Sequence, residues 1–161
     1  MTRFADRLSE LGVRASSSKL GGIFYYVVCR RIDSVLIPLS RGRLSMGPPG
    51  QTVLITTKGA RSGVPRRASL AFLWEGDDMV LVASKGGAPK HPAWYHNLKA
   101  DPHVVVQTRD GIEKRIARDA EGEERDRLFG RMATAFANFD AYQKRAVNRK
   151  IPVMVLSRES R

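Results

Sequence analysis

The amino-acid sequence predicts an α+β domain, mainly β, in which six short strands form an antiparallel barrel with a few flanking helices. Two observations carry this prediction. Six separate segments are short and rich in β-branched residues, and most connections between them have the length of a hairpin turn. Strands in this arrangement close readily into a barrel. With 161 residues, the chain has the length of one ordinary domain.

Turn-forming residues separate the predicted strands. Glu75-Gly76-Asp77-Asp78 stands between the second and third segments. Asp110-Gly111 stands between the fourth and fifth, where an Asp-Gly pair favours a tight hairpin. The predicted strands cover residues 52–57, 68–74, 79–83, 103–108, 112–118 and 153–156.

Two predicted helices interrupt the strands. Pro92 suits the first turn of a helix that runs to about Lys99, and Asp101-Pro102 ends it. A second helix is predicted from apolar residues at intervals of three and four, with glutamates at its start, where the helix dipole favours them. Its apolar positions are Leu128, Met132, Ala135, Phe136 and Phe139.

Residues 1–47 are predicted to form an N-terminal helical extension, with a short amphipathic helix within residues 4–11. Gly47-Pro48-Pro49-Gly50 breaks any regular element. We therefore expect a domain boundary here, with the barrel domain covering residues 48–161.

A second apolar segment of this extension, residues 23–39, is not expected to span a membrane. Its longest purely apolar run, residues 23–29, is far too short, and Arg30, Arg31 and Asp33 interrupt the segment. Two alternatives remain open. The segment is either a helix packed on the domain or a helix at a membrane surface with its arginines among the lipid headgroups.

The composition excludes several classes of protein. A chain that is 42% hydrophobic and 27% charged is neither disordered nor a membrane bundle. Cys29 is the only cysteine, which excludes a disulfide framework, and no Cys/His cluster has the spacing of a metal site. The first residues lack a secretory signal pattern. We expect a cytoplasmic protein, with association at the inner face of the membrane as an open alternative.

The positive charge indicates an anionic partner. The net charge is +12 and the pI is about 10.5, values that fit nucleic acid, acidic lipid or a polyanionic small molecule. Between residues 58 and 99, the only acids lie together in the turn at 75–78. The basic residues without a nearby acid in sequence are Lys58, Arg61, Arg66, Arg67, Lys85, Lys90 and Lys99.

The loop between the first two strands combines glycine with arginine. Gly59 and Gly63 permit a tight turn that presents backbone N–H groups. Arg61, Arg66 and Arg67 add forked cationic donors. The pattern suits a phosphate or carboxylate, but it lacks the Walker spacing and also fits a plain basic hairpin loop.

A second loop follows the third strand and leads into a helix. It contains Ser84-Lys85-Gly86-Gly87, and the helix begins with the adjacent aromatics Trp94 and Tyr95. Ser84, Lys85 and the helix N-terminus can bind an anion or the polar atoms of a ring. One of the two aromatics can form a wall for a planar ligand, whereas the other packs the helix on the barrel.

No pattern in the sequence indicates hydrolysis. The chain has no G-x-S-x-G elbow, Cys29 lies among apolar residues, and no cluster of carboxylates suits such chemistry. His91, His96 and His103 are expected at helix ends or on the surface. A ligand cradle without an acid–base constellation indicates chemistry carried by a cofactor.

Three ordered motifs together resemble the deazaflavin-dependent nitroreductase family. They are TTKGARSGVPR at residues 56–66, VASKGG at 82–87 and HPAWYHNLKADP at 91–102. The resemblance covers about residues 50–157. It implies a split β-barrel of the FMN-binding, flavin-reductase-like type, and coenzyme F420 as cofactor, with FMN as the alternative. F420 is an 8-hydroxy-5-deazaflavin with an anionic tail, which would be a partner for the basic residues.

By matching position, the resemblance also implies roles for individual residues. The phosphate and tail would be held by Arg61, Ser62 and Arg66. The ring would be lined by Arg67, Ala68, Ser69, Leu70, Ala71, Ala83, Ser84 and Lys85. The site would be closed by Ala93, Trp94, Tyr95 and Asn97. Tyr142 would face the substrate and either donate a proton or orient the acceptor, unless it only packs beside Phe139.

Some positions depart from the family pattern. Ala60 stands where arginine is common, and Phe139 stands where tyrosine is frequent. Near Ala68 and Ser69 the family commonly has Asn-Pro followed by an aromatic, where this chain has Ala71. Cofactor binding is therefore better supported than reduction of any particular substrate.

Three hypotheses for function follow. The first is an F420-dependent reductase that passes a hydride to a quinone, enone or nitro-type acceptor. The second is a protein that binds or carries the deazaflavin without turnover. The third, and least supported, is a basic nucleic-acid module that stacks bases on Trp94 and Tyr95. Arg30, Arg31, Arg41 and Arg43 would suit a membrane surface, and the sequence predicts no oligomeric state.

Overall fold

The computed structural model describes residue 28 and residues 30–159. The helix predicted within residues 4–11 lies outside the described residues. In this part of the chain, no helix is long and apolar enough to cross a membrane. The elements are α1 (Arg30–Leu39), β1 (Thr52–Lys58), β2 (Pro65–Glu75), β3 (Asp78–Val82), α2 (Ala93–Ala100), β4 (His103–Thr108), β5 (Gly111–Ala120), α3 (Gly122–Ala135), α4 (Asn138–Arg145) and β6 (Val153–Arg158).

The strands form a closed antiparallel barrel in the order β1-β2-β3-β6-β5-β4. The predicted mainly β barrel is therefore confirmed. Four strands are longer than predicted: β1 extends to Lys58, β2 begins at Pro65, β5 extends to Ala120 and β6 extends to Arg158. Most of these added residues are polar, but they pair with a neighbouring strand, and the ladder holds them extended.

The second predicted helix is divided in two. It begins earlier than its apolar pattern, at Gly122, and α3 ends at Ala135. Phe136 then has extended backbone, with φ −134° and ψ 96°, and α4 begins at Asn138. The rings of Phe136 and Phe139 meet edge to face across this break, with their centres 5.8 Å apart, so the apolar pattern continues although the helix does not.

Alternate residues of the strands fill the barrel. Val53 and Ile55 of β1 meet Leu81 of β3 in the interior, and all are fully buried. Helix α2 closes one end of the barrel with Trp94 and Leu98, which belong to the same buried cluster. The site described below lies at this end.

A second apolar layer covers the outside of β3 and β6. Val80 and Val155 face outward from these strands and pack against Leu128 and Met132 of α3. Phe139 of α4 completes the layer. The two short helices after β5 are thereby held against the barrel wall.

Helix α1 packs on the barrel across β1, β2 and β4. Ile37 is buried beneath it, and so is the carboxylate of Asp33. The Ser69 hydroxyl donates to Asp33 Oδ2 at 2.8 Å, and the Met46 N–H donates to Oδ1 at 2.7 Å. Burial raises the pKa of Asp33. One face of α1 is thus packed on the domain, as the first of the two alternatives expects. Contact of its outward face with a membrane and the boundary at residue 47 stay predictions.

Arg115 ties the other end of the barrel together. Its side chain is fully buried, and its guanidinium donates to Glu113 Oε1 at 2.9 and 2.7 Å. The same group donates to the carbonyls of Asp77 at 2.7 Å and Leu156 at 2.8 Å, and lies 5.0 Å from the ring centre of Trp74. One side chain thus links β5 to β6 and to the β2–β3 turn.

We expect Arg115→Ala to lower the free energy of unfolding by about 3–5 kcal/mol, because it leaves buried carbonyls without a donor. Arg118→Ala is the matched control: Arg118 is on the same strand but exposed, and its pair with Glu124 contributes about 1 kcal/mol or less. Urea unfolding measures both. Equal losses in the two variants would show that the Arg115 network does not stabilise the barrel.

Candidate functional site

Strand β2 has an open edge. Its ladder with β3 pairs only Phe72–Glu75 of β2. The other side of β3 pairs with β6, and β3 ends at Val82. The first half of β2, residues 65–71, pairs with β1 on one side and has no strand partner on the other in the described part of the chain. We call this half the open edge. Within the described residues, its N–H and C=O groups on the side away from β1 have no strand partner, and they lie beside a gap in the barrel wall.

Apolar residues line the gap on the barrel side. Ala68 of the open edge is buried in the same cluster as Ala83 and Trp94, and Leu70 and Tyr95 pack against that cluster. The structure thus brings together three residues for which the resemblance implies ring lining, Ala68, Leu70 and Ala83, and two for which it implies closure of the site, Trp94 and Tyr95. Ala68, Ala83 and Trp94 are buried in this cluster, whereas Leu70 and Tyr95 are only partly buried at the α2 end of the barrel.

The other ring-lining candidates on β2 point elsewhere. Ser69 faces α1, where its hydroxyl is bonded to Asp33. Arg67 is exposed, and Ala71 and Ser69 are half-buried. Ala93, the first residue of α2, is also exposed. At Arg67, Ser69 and Ala71, a ligand in the gap would therefore contact mainly the backbone of β2 and not the side chains.

The loop after β3 forms an anion-binding nest at the gap. Ser84 is right-handed, with φ −72° and ψ −42°, and it is followed by positive φ at Lys85 (48°), Gly86 (65°) and Gly87 (80°). A right-handed residue followed by a left-handed one turns successive N–H groups toward one point. Within the described residues, the N–H groups of Lys85 and Gly86 meet no acceptor. We call Ser84–Gly86 the nest.

Gly87 fixes the nest against α4. A Cβ at this position would lie 2.6 Å from the Tyr142 carbonyl oxygen and 2.8 Å from Cβ of Arg145, so the backbones approach too closely for a side chain. The Arg145 guanidinium also donates to the Gly86 carbonyl at 3.4 Å. Tyr142, the predicted catalytic residue, is therefore next to the predicted ring-binding loop.

The Tyr142 side chain is half-buried in the outer apolar layer. Its ring meets Phe139 at 5.8 Å, the Arg145 guanidinium lies 5.3 Å from its centre, and its hydroxyl is hydrogen-bonded with Asn138. Burial raises the pKa of Tyr142, which keeps the phenol protonated over a wide pH range. The group therefore carries a proton that it can donate.

The basic loop between β1 and β2 is fastened to α2 by Asn97. Asn97 is buried, its Nδ2 donates to the Thr57 hydroxyl at 2.9 Å, and its Oδ1 accepts the Ala60 N–H at 3.0 Å. Ser62 Oγ accepts the Val64 N–H at 3.4 Å inside the loop. Asn97 thus positions the loop, since its side chain bonds both to Ala60 of the loop and to Thr57 at the end of β1.

Some of the basic residues of this region find acids from distant parts of the chain. Lys99 lies 2.5 Å from Asp119 Oδ2, and Lys58 lies 4.0 Å from Asp101. Among the described residues, no acid or carbonyl partner meets the side chains of Arg61, Arg66, Arg67, Lys85 or Lys90. These cations are available to an anionic ligand.

Two residues near the nest were missed by sequence reasoning. Arg149 hydrogen-bonds to carbonyls of the nest loop, and Asp119 accepts the Tyr95 hydroxyl at 3.4 Å. One arginine among many basic residues gives no local signal, and Asp119 belongs to a strand far from α2 in sequence. Only tertiary structure brings either to the site.

A separate groove lies on the outer face of β1 and β4, lined by Thr56, Val105 and Lys114 among others. His103 also lines it and pairs with Asp101 at 2.9 Å. None of the nest residues lines this groove. The groove therefore does not include the nest, but it reaches the start of the open edge, because Gly63 and Pro65 also line it.

Comparison with known proteins identifies relatives of this chain. The family model described as F420H(2)-dependent quinone reductase matches residues 38–158. An F420H(2)-dependent quinone reductase of Mycobacterium tuberculosis is 37% identical over 136 residues, which cover 80% of this chain and 89% of the relative. The alignment with this relative therefore covers most of both chains.

Solved structures are similar as well. An F420-H2 dependent reductase is 42% identical with a TM-score of 0.61, covering 66% of this chain and 94% of that one. A structure described as a domain-swapped dimer is 37% identical with a TM-score of 0.64, covering 79% and 94%. The haem storage protein HutZ of Vibrio cholerae, at 13% identity and a TM-score of 0.52, covering 70% and 84%, shares the fold alone.

The expected mainly β split barrel is thus confirmed, as are the predicted enzyme class and its F420 cofactor at the level of the family. The sequence motifs indicated deazaflavin-dependent reductases in general, and the family model and the relative specify the quinone reductases among them. The chain belongs to the F420H(2)-dependent quinone reductase family.

Proposed function

We propose that this protein uses F420H2 to reduce a quinone-type acceptor in the gap beside β2. The proposed location of the site rests on three features that lie together at one end of the barrel. They are the open edge, the nest and the arginines that have no acidic partner among the described residues. Family membership indicates the class of reaction, and these three features indicate where on the protein the reaction would take place.

The residues present fit F420 chemically. The uncommitted N–H groups of Lys85 and Gly86 suit the carbonyl oxygens on the polar edge of the ring. Ala68, Leu70 and Trp94 would hold its apolar face. Arg61 and Arg66, with Ser62, would bind the phosphate and the anionic tail. FMN has one phosphate and no such tail, so the number of free cations favours F420.

When bound, reduced F420 supplies a hydride. The task of the protein is to hold the acceptor close to the donor carbon and to keep water away. Tyr142 would supply or orient the proton that the reduced acceptor needs, because its phenol is protonated and its backbone adjoins Gly87 of the nest loop.

We expect the protein to catalyse reoxidation of F420H2 by menadione and Tyr142→Phe to lower kcat by about 100-fold. Because burial raises the pKa of Tyr142, the wild-type rate should not fall up to about pH 10, the ordinary tyrosine value. Absorbance of F420 measures the rate. Lys144→Gln, an exposed change on the same helix, is the control.

An unchanged kcat in Tyr142→Phe would contradict the proposed role of the phenol. Tight F420 binding without reoxidation by any quinone, enone or nitro compound would identify a carrier instead of an enzyme. Preference for FMN, or for single-stranded DNA, in the same binding titration would contradict the cofactor assignment.

We expect Arg66→Ala to weaken binding of F420 with a long tail by about tenfold and to leave binding of a tail-less 8-hydroxy-5-deazaflavin nearly unchanged. Arg109→Ala removes the same charge at the opposite end of the barrel and controls for long-range electrostatics. Fluorescence titration measures each dissociation constant. Equal losses for both ligands would show that Arg66 does not bind the tail.

We further propose that α1 contacts a membrane surface, from which a lipophilic acceptor would enter. Its outward residues Val35 and Leu39 are 59% and 80% exposed, and Arg41 and Arg43 are exposed just beyond the helix. An apolar face beside cations suits anionic lipid. The opposite face of α1 carries Asp33, which bonds to Ser69 on the open edge, so bound lipid would lie near the gap.

We expect the protein to sediment with vesicles containing anionic lipid and Val35→Ser/Leu39→Ser to weaken that binding by about tenfold or more. Ile112→Ser, which removes an equally exposed apolar residue from β5, should have no effect. Equal binding of all three proteins would show that α1 is not the contact surface.

A further inference from the structure

Arg149 lies in the connection between α4 and β6 and reaches the back of the nest. Its NH2 group donates to the Ser84 carbonyl at 2.7 Å and its Nε donates to the Ala88 carbonyl at 2.9 Å. Its NH1 group donates to the Ala83 carbonyl at 3.3 Å and lies 3.0 Å from His91 Nδ1. One guanidinium thus holds both ends of the nest loop.

These bonds, together with the Gly87 N–H that donates to the same Ser84 carbonyl at 3.0 Å, determine where the N–H groups of the nest point. In a trans peptide the C=O and N–H of one unit point in opposite directions. The Ser84 carbonyl and the Lys85 N–H belong to one unit, so the bond from Arg149 to this carbonyl turns the Lys85 N–H away from Arg149. The N–H is thereby left for a ligand.

The next peptide unit is held less directly. The Lys85 carbonyl accepts the Ala88 N–H at 3.2 Å, and Ala88 is itself bonded to Arg149 through its carbonyl. The Gly86 N–H, which shares a unit with the Lys85 carbonyl, is therefore also oriented outward. Lys85 has φ 48°, a conformation that a side chain disfavours, so the loop needs such support.

His91 completes the arrangement as an acceptor. Burial, and then the positive charge of Arg149, lower the pKa of His91, which favours the neutral ring whose Nδ1 can accept from NH1. His96 also lowers this pKa, whereas Asp119 raises it. Arg149 itself has its pKa lowered by burial, and its planar fork matches several acceptors at once.

We propose that Arg149 is a positioning residue that holds the N–H groups of Lys85 and Gly86 toward the deazaflavin ring. It acts from behind the loop and does not touch the cofactor. This inference rests on the proposed binding of the ring at the nest. A lysine at this position would keep the charge but would lack the fork that bonds three carbonyls.

The test compares Arg149→Lys and Arg149→Met with Lys150→Met, an exposed neighbour paired with Asp126. Dissociation constants are measured for oxidised F420 and for a tail-less 8-hydroxy-5-deazaflavin. Hydrogen exchange of residues 84–88 is measured in the protein without ligand, and thermal unfolding confirms that each variant is folded. If Arg149→Met does not fold, Arg149→Lys carries the test.

We expect both Arg149 variants to bind the two ligands about tenfold more weakly, with equal losses, and to exchange faster at residues 84–88. Lys150→Met should match the wild type. Wild-type affinity in Arg149→Lys, or unchanged exchange, would overturn the inference. If the wild type binds neither ligand, the proposed function fails, and the exchange data still decide whether Arg149 orders the nest.

Discussion

The site depends on a mismatch in strand length. β2 has 11 residues and β3 has 5, and β3 lies between β2 and β6 and ends at Val82. In the described part of the chain, β1 is therefore the only strand that pairs with residues 65–71 of β2. A closed barrel normally has no free edge. In the described part of the chain, the first half of β2 is nevertheless an edge without a second strand partner, and it lies next to the end that α2 closes with Trp94. A planar ligand at this place can use backbone groups on one edge and apolar side chains on its face.

Elements outside the sheet hold the borders of this gap. Arg149, Arg145 and the close contact of Gly87 with Tyr142 bind the nest from the side of α4. Asn97 binds the basic loop to α2. In these contacts, side chains hold segments of the backbone in position. This suits a site in which the groups proposed to bind the ligand are themselves backbone N–H groups. Movement of α4 would be transmitted directly to the nest.

Much of the fold followed from local patterns in the sequence, whereas parts of the site did not. Alternating β-branched residues predicted all six strands, but Arg66 and Arg67 were placed in a loop because they are polar; pairing with Thr57 and Thr56 keeps them extended. Ser84-Lys85-Gly86-Gly87 was recognisable because glycines mark positive φ. Arg149, and the bond that turns Ser69 toward Asp33, depend on tertiary contacts that no local pattern encodes.

The most direct test of this account is an amide NMR titration of the protein with oxidised F420. The account predicts saturable shifts of the Lys85 and Gly86 N–H resonances and of residues 66–71 of the open edge. Resonances of Thr56, Val105 and Lys114 in the groove on the outer face of β1 and β4 should move little. Shifts concentrated in that groove, with Lys85 and Gly86 unchanged, would contradict the account.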